Sequence, residues 1–342
     1  MGLNINRRTM LLGAGAATGV ALGAGAFHGA ARAAAGKAGI DTWGVDLSAM
    51  DKSVNPGDDF FRHVGGTWMK NTPIPADRSR WGSFNILAAK SEDDVKTVLD
   101  DARRKKPKAG TVERKAVDYY EAFIDTAGID AKGLEPAKAD LGRIAAVQTH
   151  EEMAALLGGP EFRANAPLGV GVNLDAKRPD TYVMGVGQAG LGMPDRDYYL
   201  KDDKKFADTR AKYRAYVEQM LTLASYPNAA ASADAIVAVE RQIAETHWPR
   251  EKSRNRDLTY NPKTRDELLA FAPEFPWQAA LDSFGAPNHD FFILVQVDAI
   301  QALVKLYRAT PVSTWRAYVA FHYLNGMADV LPKAFDDAAF DF

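Results

Sequence analysis

The sequence predicts a mainly α-helical protein: one multi-helical lobe carrying a small β-hairpin or short sheet. Three observations carry that expectation. Beyond residue 44, apolar residues recur at three- and four-residue spacing along most of the chain, and glycine, proline and asparagine mark the breaks. One region alone, 167–186, alternates at period two, the spacing of a half-buried strand. No repeat of 20–50 residues is visible, which argues against a solenoid. With 342 residues, 46% hydrophobic and 25% charged, the chain can bury a large core.

The elements follow in order. Asp58 and Asp59 are N-cap candidates for a helix in which Phe60, Val64 and Trp68 repeat every fourth residue, stopped by Pro73 and Pro75. A second helix runs from Phe84 to Asp101, with Ile86, Leu87, Val95, Val98 and Leu99 as its apolar stripe. The basic run Arg103-Arg104-Lys105-Lys106-Pro107-Lys108 meets Pro107 and Gly110 and is expected to be a solvated inter-helix loop. Further helices are predicted at 112–127, 134–147, 150–157, 204–224, 232–246, 264–271, 276–283, 296–308 and 311–331. Their separators are Gly128, Gly133, Gly158-Gly159-Pro160, Pro227-Asn228, Pro273 and Pro287. The hairpin, at about 168–186, consists of runs from Pro167 to Leu174 and from Thr181 to Val186, joined by the polar stretch 175–180. Phe291 to Val297 is a candidate third strand.

Charge and cysteine content narrow the function. The net charge is −2 and no basic stripe appears, which argues against a nucleic-acid partner. The chain has no cysteine, which removes disulfides, thiol catalysis, iron–sulfur clusters and anchoring through a lipidated cysteine. Residues 1–33 have the pattern of a twin-arginine export signal: Arg7-Arg8, then a glycine- and alanine-rich apolar run, then Ala31-Arg32-Ala33 as a small-x-small cleavage triplet. Cleavage is expected after Ala33 or Ala35, with 34–43 as a linker. The apolar run is too glycine-rich for a stable membrane anchor, and none is expected after signal removal. The expected location is periplasmic or secreted. Loss of residues 1–33 takes three of the 42 basic residues and none of the 44 acidic ones, leaving a net charge near −5.

Several motifs tempt. Gly185-Val186-Gly187-Gln188-Ala189-Gly190 matches GxGxxG, but Pro194 follows where a helix would have to open for a pyrophosphate. A glycine-rich turn leaving a hairpin is the expectation. His150-Glu151-Glu152-Met153-Ala154 approaches HExxH, the pair of histidines one turn apart that holds zinc, but position 154 is alanine. A helix start with acids favouring the dipole explains it. His247 and Glu251 are four apart, with Pro249 between them. No Gly-x-Ser-x-Gly elbow and no phosphate-binding loop occurs, so the chain holds no complete catalytic constellation of its own. The stretch Leu191 to Leu200, LGMPDRDYYL, is denser than a generic loop. A polar staple is expected there, with Arg196 bridging aspartates and the tyrosines packing beneath.

Taken together, these segments resemble the neprilysin-like and PepO-like zinc metallopeptidases of the M13 family. Asn55-Pro56-Gly57-Asp58-Asp59-Phe60-Phe61 resembles its P-x-D-D-F-Y opening, Gly66-Thr67-Trp68 its G-x-W, and Ile74-Pro75-Ala76-Asp77 its I-P-x-D. Gly190 to Leu200 is similar to G-L-G-L-P-D-R-D-Y-Y-L, and Thr310 to Tyr318 to T-P-L-x-T-W-K-x-Y. Arg256 and Tyr260-Asn261 fit a further R-D…Y-N region. The resemblance runs in order from residue 44 to 342, and assigns that span to the family's N-terminal domain, the C-terminal zinc-binding catalytic domain being absent. It implies a helical lobe, zinc in the full-length enzyme but none bound by this chain alone, peptide substrates, and a C-terminal catalytic half or chain as partner.

The resemblance also implies a substrate site in the segment Ser79 to Asn85. Arg80 would bind the carboxylate at the substrate's C-terminal side, for which a planar guanidinium is suited, and Phe84 would line the adjoining apolar pocket. Asn85 stands where animal relatives have an acid, and Gly65 where disulfide-bearing relatives have a cysteine. The competing reading of Arg80 is a surface ion pair with Asp77 or Glu92. The functional expectation is the N-terminal portion of a secreted zinc metalloendopeptidase for short peptides, inactive alone. The alternative is a non-catalytic peptide-binding module, or a subunit completed by a separate C-terminal chain.

Overall fold

The computed structural model describes residues 46–76, 78–162 and 164–342. The export signal and linker expected at 1–43, and Asp77 of the proline segment, lie outside the described residues. Two compact units divide the chain near residue 124. Among the described residues no helix is long and apolar enough to cross a membrane.

The N-terminal unit opens with a 3-10 turn, Leu47–Ala49, whose first amides are capped by Asp46. Helix α1 (Phe60–Asn71) starts where expected: the Asp59 side chain accepts from the Arg62 amide. Asp51 fastens the chain before it to this helix. Its amide donates to the His63 carbonyl at 2.9 Å, and its carboxylate accepts from Lys70 Nζ at 2.6 Å. The Lys70 bond, with bonds from the Ser53 hydroxyl and amide, holds the Asp51 carboxyl down at about 2. Helix α2 (Ser83–Lys105) is longer than predicted and ends at Lys106, which takes a left-handed φ of 50° before Pro107. Arg103, Arg104 and Lys105 therefore form the last turn of a helix and not a loop. Cations there complement the negative end of the helix dipole. Helix α3 (Val112–Ile124) packs against α2, with Arg103 Nε 3.0 Å from Glu121. The predicted 112–127 helix breaks at Asp125, whose carboxylate caps the Gly128 amide and opens the short helix α4 (Thr126–Lys132).

The C-terminal unit is built around one helix. Of the later helices, α5 (Lys138–Ala146), α6 (His150–Gly158), α8 (Lys204–Leu223) and α9 (Ala229–Thr246) all touch α14 (Val312–Met327), as does α15 (Lys333–Asp341). Between them in sequence lie α7 (Asp197–Leu200), α10 (Arg250–Ser253), α11 (Arg265–Phe271), α12 (Trp277–Phe284) and α13 (Val297–Ala309). Trp315 and every residue from Ala317 to Leu324 are buried, so α14 is apolar on all sides, as a central helix must be. Sheet strands run in the order β1-β2-β4-β3. The predicted hairpin is present: β1 (Leu168–Leu174) pairs antiparallel with β2 (Tyr182–Gln188), in register from Leu168 with Gln188 to Leu174 with Tyr182. The expected third strand is β4 (Phe292–Leu294), parallel to β2. Strand β3 (Asn261–Lys263), antiparallel to β4, was not expected.

Candidate functional site

Phe84 and Asn85 fall in the first turn of α2, and Arg80 three residues before its start. Arg78 turns back, its amide donating to the Pro75 carbonyl at 3.0 Å, and its guanidinium reaches Glu92 at 3.5 Å. Glu92, one of the two expected partners of Arg80, is thus engaged by Arg78. Arg80 is exposed and makes no ion pair among the described residues, while Asp77 lies outside them. Gly82 is extended and gives α2 no side-chain cap. Phe84 then stands in the first turn, 89% exposed, and Asn85 is half-buried beside it. The segment presents a guanidinium and an open aromatic ring within five residues. Such a pair can bind a carboxylate and the apolar group next to it.

The pseudo-motifs resolve into structure. His150 opens α6 behind a capping box of Thr149 and Glu152; its Nε2 bonds the Thr310 carbonyl at 2.9 Å, and its own carbonyl accepts from Tyr307. Glu151 pairs with Arg308 at 2.9 Å. Gly185 and Gly187 lie inside β2, and Gly190, at φ 98°, turns the chain away without opening a helix. His247 is buried, and its Nε2 meets the Ala189 carbonyl at 3.1 Å; burial lowers its pKa to about 4. Zinc, implied by the resemblance, meets no fitting ligand set here: among the described residues no three His, Asp or Glu cluster to hold a metal ion.

The 191–200 stretch is a staple, though not the one expected. Arg196 does not bridge aspartates; its Nε donates to the Ala244 carbonyl at 3.3 Å. Asp195 instead pairs with Arg250 at 2.7 Å. Beneath lies a buried carboxylate, Glu240, on α9. It accepts from Tyr199 at 2.6 Å, from Tyr213 at 2.9 Å and from His322 Nε2 at 2.8 Å. The Tyr199 hydroxyl also accepts from the Gly192 and Met193 amides, at 3.1 and 2.9 Å. Burial and the adjacent Glu240 charge push the Tyr199 and Tyr213 hydroxyls far above the usual tyrosine range. A Cβ on residue 192 would sit 1.8 Å from the Tyr213 oxygen, so only glycine lets the loop close over the network. Glu240 had no signal in sequence, because α9 is alanine-rich and a glutamate in it suggests a solvated face. The same loop meets Trp248 through Gln188, whose Oε1 accepts from the Trp248 amide at 2.7 Å, a pairing that no local pattern announces.

The family model described as Peptidase family M13 matches residues 56–342. Human endothelin-converting enzyme 1 is 26% identical over 306 residues, 85% of this chain but 39% of that protein. Human endothelin-converting enzyme-like 1 is 25% identical over 307 residues, again 39% of its length. Among solved structures, the Mycobacterium tuberculosis zinc metalloprotease Zmp1 with an inhibitor matches with a TM-score of 0.81 at 30% identity, covering 87% of this chain and 46% of that one. PepO from Lactobacillus rhamnosis shares the fold, with a TM-score of 0.64 at 21% identity, over 84% of this chain and 46% of its own. The chain thus spans less than half the length of each of these relatives.

Proposed function

Because this chain belongs to peptidase family M13, we propose that it is the N-terminal portion of an exported zinc metalloendopeptidase that hydrolyses short peptides. The observation that carries this reading is the start of α2, where an arginine with no ion pair among the described residues and an open phenylalanine stand together. Arg80 takes the substrate's terminal carboxylate, a charge-assisted contact that contributes about 1.5–3 kcal/mol. Phe84 takes the adjoining side chain, and Asn85 lines the same edge without adding charge. HExxH occurs nowhere in the 342 residues, so the zinc centre belongs to a C-terminal partner half or chain. This chain by itself is expected neither to bind catalytic zinc nor to hydrolyse peptides. Export rests on the arginine pair, apolar run and cleavage triplet of residues 1–33.

The test is the native product in the exported fraction of its source cells: its intact mass, and its cleavage of short peptides with and without a chelator. Chelator-sensitive cleavage, with KM for free-carboxylate peptides raised by Arg80→Ala at least tenfold (about 1.4 kcal/mol), supports the reading. A product near or below 37.2 kDa that binds peptides without cutting them turns it into a non-catalytic binding module. Cleavage by the pure 342-residue chain contradicts the division of labour proposed here.

A further inference from the structure

The loop leaving β2 and the segment after α9 enclose a polar cavity of about 690 Å³ within the C-terminal unit, a volume in the range of small-ligand sites. Its walls carry charges of both signs, most of them already paired: Asp195 with Arg250, and Asp197 with Lys201, each at 2.7 Å. Arg196 and Glu251 are the exceptions. The Arg196 Nε is taken by the Ala244 carbonyl, but its terminal nitrogens have no acceptor and it has no carboxylate partner among the described residues. A half-buried guanidinium without an anion costs free energy.

His247 adds direction. A carbonyl can only accept, so Nε2 carries the proton toward Ala189, and burial keeps the ring neutral at pH 7. The remaining nitrogen is an acceptor and not a second positive charge, leaving Arg196 as the cavity's unneutralised cation. Trp248 supplies an apolar wall, and Glu251, which has no ion pair among the described residues, lies among the lining residues.

We propose that this cavity binds a short peptide by its free carboxylate terminus. The two terminal nitrogens of Arg196 take the carboxylate as a fork, the Trp248 ring packs against the terminal side chain, and Glu251 faces the ammonium end. The size admits a few residues and excludes folded proteins. The choice of peptide as the ligand rests on the peptidase reading above; the carboxylate contact does not.

Calorimetric titration of the full chain with alanyl-phenylalanine and with its C-terminal amide tests the proposal. The acid is expected to bind at least tenfold tighter than the amide, about 1.4 kcal/mol. Arg196→Ala should erase that preference, while Arg196→Lys, which keeps a positive charge but loses both the fork and the Nε–H that bonds Ala244, should retain part of it. Equal affinity for acid and amide, or no binding of the acid, overturns the proposal, and this comparison needs no variant to fold. If the preference survives in Arg196→Ala and vanishes in Arg80→Ala, the cavity proposal falls while the reading of the α2 segment stands. If both ligands fail to bind yet the native product still cleaves peptides, only the cavity proposal is lost.

Discussion

In the C-terminal unit Trp315, Tyr318 and Phe321 are closed off from solvent, whereas in the N-terminal unit Phe60, Phe61 and Phe84 stand open to it. The contrast extends to whole helices. α14 buries Trp315 and every residue from Ala317 to Leu324, and α2, the longest helix described, has no buried residue at all. The C-terminal unit spends its aromatic side chains on one contiguous core. The N-terminal unit keeps Leu87, Val95 and Val98 on view along α2, the helix that opens with the phenylalanine proposed to meet substrate. The first arrangement is that of a scaffold. The second is that of a face awaiting contact, since exposed apolar surface of this extent marks interaction sites.

If that division is correct, substitutions should weigh very differently in the two units. The largest effect is expected from Glu240→Ala, which strands Tyr199, Tyr213 and His322 in the core and should cost about 3–5 kcal/mol. Urea unfolding measures it; a loss under 1 kcal/mol would mean the network is ornamental. Next comes pH. His247 has its pKa depressed from 6.5 to about 4 by burial, so the unfolded chain takes the proton first. Its contribution is complete above pH 6.5 and drains away as pH falls toward 4, a loss of about 3 kcal/mol. The pH slope of the urea midpoint should flatten in this window for His247→Gln, and an unchanged slope would contradict the assignment. In the N-terminal unit the Asp51 carboxyl, held at about 2, gives stability that persists until pH drops below about 4, so the two regions should weaken in different acid windows. Peptide-resolved hydrogen exchange across that range separates them.

A smaller effect tests a tight contact of the N-terminal unit. A Cβ on residue 66 would lie 2.7 Å from the Asp51 Cβ, so Gly66→Ala should cost about 1–3 kcal/mol, read as faster exchange in α1. The smallest is Phe84→Ala, expected within about 0.5 kcal/mol of the parent by thermal unfolding, because its ring touches little that folding needs. A large loss there would show Phe84 to be core and break the comparison.

Much of the fold was legible because apolar spacing is a local signal. The Phe60 to Trp68 stripe, the hairpin and the strand around Phe292 each announce themselves within ten residues. Strand β3 did not: three residues carry no period, and Pro262, placed on the outer strand of the sheet where its missing amide matters little, argues against a strand when seen in isolation. The break at Asp125 was hidden because the chain resumes a helix one residue later. At the candidate sites, the α2 segment was found through resemblance and not through chemistry. The partners of Arg196 and Gln188 lie 48 and 60 residues away, beyond any pattern that spacing can reveal.

The Glu240 carboxylate has one more consequence, in time and not in energy. Its three bonds join segments 27, 41 and 82 residues distant, and each such loop must close before its bond can form. The Gly192 and Met193 amides depend on the same Tyr199 hydroxyl. The wall of the cavity should therefore set after the helices that frame it. In pulsed exchange during refolding those two amides should gain protection later than the amides within α8 and α9, and equally early protection would mean the loop finds its shape without the carboxylate that now holds it.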